Sequence, residues 1–148
     1  MSRVIRCGII CAGALLLPLI LWTPRIIAPR ETSCVKAITT INTAQVQYYS
    51  NYGRYAASLR ELGPPASGAE GPSAAGLIER DLASGEKGGY KFALTPTATS
   101  YTISVAPSQF GTSDKTYYSD PPMRIHVHEG RELATENDPV LGETAQRR

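Results

Sequence analysis

The side chains best suited to chemistry lie near the C-terminal end of the chain, in His126-Val127-His128-Glu129. Two histidines at i and i+2 share one face of an extended strand, so both imidazoles address the same region of space. A zinc site needs three or four ligands, and Asp120 is the nearest further carboxylate. The ligand set is incomplete, and the plainer reading is two polar residues on the wet face of a sheet. Glu79 and Asp81 form an acidic pair, but nothing beside them divides the roles of acid and base. Tyr48, Tyr49, Tyr52 and Tyr55 crowd one short stretch. Such rings either stack on bases or sugars or pack a corner between helix and sheet, and their large apolar area favours the corner. Cys34 is either a small buried apolar residue or a free thiol. No Gly-rich phosphate loop, serine–histidine arrangement or Cys-x-x-Cys pair occurs. The expectation is a chain that is not an enzyme, with no catalytic, cofactor-binding or metal-binding residues.

The histidine segment closes a series of stretches with period two. Tyr90, Phe92 and Leu94 share a face until Pro96, and Tyr101, Ile103 and Val105 share one until Pro107. Thr116 to Ser119 reads as a short third strand, and Asp120-Pro121-Pro122 as a turn. Met123, Ile125 and Val127 then face inward, with Arg124, His126 and His128 outward. This alternation predicts an antiparallel sheet of three to four strands with one wet face. Its dry face needs a cover. Cys34, Ile38, Ile41, Ala44, Tyr48 and Tyr52 recur at helical spacing, with Lys36, Thr40, Asn42, Thr43 and Gln47 mostly elsewhere. Thr32 or Ser33 is the expected N-cap and Gly53 the expected stop. Many β-branched residues weaken this helix, so packing must hold it. Tyr55 to Leu62 and Leu77 to Leu82 predict short helical turns, with Leu59, Leu62, Leu77, Ile78 and Leu82 buried. Residues 63–76 read as an irregular loop, and residues 131–148 show no periodicity, as in a flexible tail. The fold class is therefore α+β.

The chain has 148 residues and a net charge of +2 from 15 basic and 13 acidic side chains. No Lys/Arg cluster follows residue 30, which argues against a nucleic-acid partner. Cys7 and Cys11 lie in an apolar run, so Cys34 alone cannot build a disulfide framework in the remainder. That run, Cys7 to Trp22, is uncharged and follows Arg3 and Arg6. A membrane span takes about 20 apolar residues, with a lower limit near 17. The run is therefore a short anchor, with a secretory signal ending at Ala28 and a buried helix as rivals. Arg25 and Arg30 weaken the charge asymmetry that would place the N-terminus in the cytoplasm. Pro24 and Pro29 predict a break between anchor and domain. The expected division is an apolar anchor or signal at 1–30, an α+β domain at 31–130 and the tail at 131–148. The implied partner is a membrane, through residues 7–22, and no small-molecule substrate is indicated.

One N-terminal helix laid over an antiparallel meander, behind an apolar segment, resembles the type IV pilin and pseudopilin superfamily. The similarity is greatest to proteins related to the major pseudopilin of type II secretion. It is carried by Ala37 to Gln45, by Gln47-Tyr48-Tyr49-Ser50-Asn51-Tyr52-Gly53-Arg54-Tyr55 and by Leu59-Arg60-Glu61-Leu62-Gly63. Gly89-Tyr90-Lys91-Phe92, Tyr101-Thr102-Ile103 and Tyr117-Tyr118-Ser119-Asp120 continue the order, so the match spans about residues 33–128. The pilin cleavage pattern is incomplete: Gly8 stands for its glycine, but Gly13 occupies the position of its glutamate, and Pro18 interrupts the run. The resemblance implies a structural protein of a pilus or pseudopilus, with other pilin-like subunits as partners. It implies single-pass attachment to the inner membrane with the C-terminal domain outside the cytoplasm. The alternative is an exported binding module, periplasmic or secreted, that recognises a ligand through residues 63–76 and 107–115. Some pseudopilins bind calcium before the last strands, where this chain offers Ser108, Ser113, Asp114 and Asp120. Two carboxylates are few for calcium, and solvated loop residues are the plainer reading.

Overall fold

A computed structural model describes residues 29–111 and 114–142. The apolar run at 7–22, the expected break at Pro24, Gly8, Gly13, Ser113 and residues 143–148 lie outside the described residues. Among those described, no helix is long and apolar enough to cross a membrane.

The first element is helix α1, Pro29–Tyr52. It buries Cys34, Ala37, Ile38, Ile41, Ala44 and Tyr48 along one stripe. Thr32 and Ser33, the expected caps, are instead exposed residues inside the helix. Glu31 in the first turn adds a favourable charge at the positive end of the helix dipole. On the exposed side, the hydroxyls of Thr39, Thr40, Thr43 and Ser50 each donate to the carbonyl four residues back, at 2.9–3.0 Å. Gly53 ends the helix at φ +68°, its N–H donating to the Tyr49 carbonyl at 2.8 Å.

Two short helices follow, α2 at Leu59–Leu62 and α3 at Arg80–Ala83. Ser58 caps α2 by accepting from the Glu61 N–H. Leu59, Leu62, Ile78 and Leu82 are buried as expected, and Leu77 is half-buried.

The sheet is an antiparallel meander of five strands in sequential order: β1 Glu86–Lys87, β2 Tyr90–Pro96, β3 Tyr101–Pro107, β4 Lys115–Ser119 and β5 Ile125–Glu129. Three to four strands were expected. The addition is β1, whose two residues are too short to show alternation. It turns into β2 through Gly88 and Gly89, both at positive φ, as a two-residue hairpin demands. Tyr90, Phe92, Tyr101, Ile103, Val105 and Tyr117 form the buried face against α1, with Ile125 and Val127 packed at its margin.

Further expectations fail. Asn42 is fully buried rather than off the apolar stripe. Its Nδ2 donates to Ser119 Oγ at 2.9 Å, and its Oδ1 accepts from the Tyr101 hydroxyl at 2.9 Å. The core admits it because each polar atom finds a partner. Met123 is 46% exposed, at φ +59°, because the Pro121-Pro122 turn has not yet entered β5. Residues 131–142 are not a loose tail. They double back over the outer face of β4 and β5 and pair along the β5 edge. The Val127 N–H donates to the Pro139 carbonyl and the Leu141 N–H to the Ile125 carbonyl.

Candidate functional site

β5 holds His126 and His128 on the sheet's outer face, opposite Tyr118 and Thr116 of β4. The sequence predicts this shared face correctly but not its cover, since His126 is only 4% exposed beneath the returning strap. Its Nδ1 lies 2.6 Å from the Asp138 carbonyl oxygen. A carbonyl only accepts, so Nδ1 carries the hydrogen. Nε2 is buried and has no hydrogen-bond partner among the described residues. His128 Nδ1 stands 2.9 Å from Asp138 Oδ1. Asp138 Oδ2 accepts from the Thr135 N–H at 2.7 Å and from its hydroxyl at 2.9 Å. The His128 hydrogen bond, followed by that of the Thr135 N–H, holds the Asp138 carboxyl below its usual range.

Both imidazoles are thus occupied by one residue of the strap. No cluster of three or more metal-ligating His, Cys, Asp or Glu side chains is found among the described residues. Asp120 follows the far end of β4 and does not join the histidines as a ligand; one of its carboxylate oxygens is buried without a hydrogen-bond partner among the described residues. Asp114 precedes the same strand and accepts from the Gly111 N–H. A strand of five residues spans about 17 Å, so Asp114 and Asp120 cannot share a calcium ion. Ser108 is exposed, and its N–H donates to the Gly89 carbonyl.

The tyrosines form the packed corner. Tyr48 meets Tyr52 at 4.6 Å between ring centres, Tyr49 meets Tyr55 at 4.8 Å, and Tyr55 meets Tyr101 at 4.9 Å. Tyr49 is the outermost, at 49% exposure. Beside it lies a shallow cleft of about 320 Å³, bounded by Arg54 and the 96–99 turn. Arg54 is committed elsewhere, pairing with Glu61 at 2.9 Å and standing 5.2 Å over the Tyr48 ring.

A larger groove of about 650 Å³ runs along the N-terminal half of α1. Ala37, Ile78 and Leu82 make its floor, and Lys36, Thr40 and Lys87 stand at its rim. Glu79 pairs with Lys87 there, and Asp81 is exposed on α3, so the two carboxylates share no site. The groove holds apolar surface beside Lys36 and the Lys87–Glu79 pair. Cys34 is buried, and burial, with a lesser contribution from the Glu31 charge, pushes its thiol up to about 12. It serves as a small core residue.

Sequence reasoning missed Asp138 and the strap that carries it. The one signal was Thr135-Glu136-Asn137-Asp138, the Ser/Thr-x-x-acid pattern in which the acid reaches back to the first residue's N–H. Compared with protein-family models, characterised proteins and solved structures, the chain matches none.

Proposed function

We propose that this chain is a non-catalytic structural subunit of pilin-like kind, attached to the inner membrane through residues 7–22, with its α+β domain outside the cytoplasm. The observation that carries this reading is α1. It is a 24-residue helix laid over an antiparallel meander, and in sequence the six residues 23–28 separate it from the uncharged run that ends at Trp22. In this arrangement the domain is the displayed part and the apolar segment the attachment. Other pilin-like subunits are its natural partners, and a pilus or a secretion pseudopilus its setting.

Fractionation of cells followed by N-terminal sequencing tests the proposal. Membrane-bound chain that retains residues 7–22 is expected. A soluble product beginning near residue 29 overturns it and favours the exported binding module instead. The 650 Å³ groove is the feature that supports that second reading, since its wall includes Pro64 and Gly76 from the irregular segment.

A further inference from the structure

The strap at 131–142 is fastened almost entirely by polar contacts. Of its side chains only Ala134 is buried, while Asp138 and Val140 are half-buried. Thr116 Oγ1 donates to the Glu132 carbonyl at 2.6 Å and accepts from the Ala134 N–H at 2.9 Å. The two histidines hold Asp138, and Val140 bridges to His126 on the edge of β5. A segment with so little apolar burial opens at a small fraction of the cost of unfolding the domain. Its larger apolar side chains are only partly covered: Leu133 is 57% exposed and Leu141 39%. The strap leaves β5 through Gly130, at φ +134°. Glycine takes up that conformation without strain, whereas a residue with a Cβ does not, so the turn that carries the arm depends on Gly130. Once the arm lifts, β5 presents a bare edge, and such an edge takes up another strand.

We propose that residues 131–142 form an exchangeable arm, which leaves its own β5 edge and takes the same place on a second copy of this chain. Both halves of the contact exist in every copy, so each hydrogen bond of the closed arm is reproduced between chains without new chemistry. The exchange does not depend on how the chain is attached, and it stands or falls separately from the structural role proposed above.

The bridge between His126 and Val140 supplies the test. The bonds flanking it, Val127 N–H to Pro139 and Leu141 N–H to Ile125, make it a non-hydrogen-bonded antiparallel pair. Such pairs hold their Cα atoms about 4.5 Å apart, within disulfide reach. Full-length chains with Cys7 and Cys11 changed to Ser are prepared in detergent, one tagged chain carrying H126C and a differently tagged chain carrying V140C. The two are mixed and mildly oxidised; buried Cys34 stays out of the reaction. A disulfide joining the two tags is expected, with severalfold higher yield when both chains also carry G130A, which strains the closed hinge. A chain carrying both H126C and V140C reports closure within one copy. Complete cross-linking inside that chain, with no disulfide between tags in either background, overturns the proposal. The pair I125C and L141C repeats the measurement should H126C prevent folding.

Discussion

Asn42 joins three elements with one side-chain amide, reaching from α1 to Tyr101 on β3 and Ser119 on β4. Replacing it with alanine leaves the Tyr101 hydroxyl buried without its acceptor. A buried polar group stripped of its partner costs about 1–3 kcal/mol. N42A should therefore lower the urea midpoint with little change in slope, and an unchanged midpoint would show that the relay contributes nothing. Gln45 acts in the same way on the chain beyond α1, its amide accepting from the Ala56 N–H at 2.8 Å and donating to the Ala56 carbonyl at 3.1 Å. Both residues lie on the helical stripe set by Ile38 and Ile41, four positions on from each. Spacing alone would have buried them; their polarity argues the other way, because hydropathy does not register partners distant in sequence. Glu61 gives the pH dependence at this scale. Burial pushes its carboxyl up, but the Ala57 N–H, the Arg54 guanidinium and the Tyr48 hydroxyl together outweigh burial and lower it. Its stabilising effect is therefore complete above the range in which an unfolded glutamate titrates, and is lost as pH falls through the lowered folded value. E61Q should flatten the acid limb of a stability–pH curve; an identical limb in E61Q would assign the effect elsewhere.

Elements with a long period were legible in the sequence, and elements held by partners were not. The helix face at Cys34, Ile38, Ile41, Ala44 and Tyr48 and the alternation at Tyr90–Phe92 and Tyr101–Val105 match the buried set directly. β1 has two residues and no period to read. The strap has no period either, since its order comes from hydrogen bonds to Thr116, His126 and His128. The histidine face was placed correctly, but its burial depends on that strap. Thr116→Val tests what fastens it. Valine keeps the shape and removes both bonds of the hydroxyl, so exchange of the Ala134 amide should accelerate severalfold while the β3 amides stay unchanged. Equal exchange at Ala134 in both proteins would place the fastening at Asp138 and the β5 edge. Asp138 adds a pH arm of the same sign as Glu61. With its carboxyl lowered by His128 and the Thr135 N–H, strap closure should persist below the ordinary aspartate range and fail only as pH falls through that lowered value.

At the scale of the whole molecule, α1 and the sheet share one core. Ile38 and Ile41 are fully buried together with Tyr48, Tyr101, Ile103, Val105 and Tyr117. Polar ties run across the same interface. Lys115 on β4 pairs with Glu31 in the first turn of α1 at 3.2 Å, and Arg30 stands 5.9 Å over the Tyr90 ring. The exposed ion pairs elsewhere contribute little, because water screens them. A helix rich in β-branched residues has weak intrinsic stability, so it should not outlast the sheet that supports it. Helix and sheet are therefore expected to unfold in one step. Ile41→Ala opens a cavity at their contact, and such truncations cost about 2–5 kcal/mol. Far-UV circular dichroism follows the helix, and near-UV circular dichroism follows the buried tyrosines. In I41A both signals should shift to the same lower denaturant midpoint. Separate midpoints, with helix signal lost while the tyrosine signal persists, would mean that the meander stands without its cover, and the account of α1 as the lid of the core would have to be abandoned.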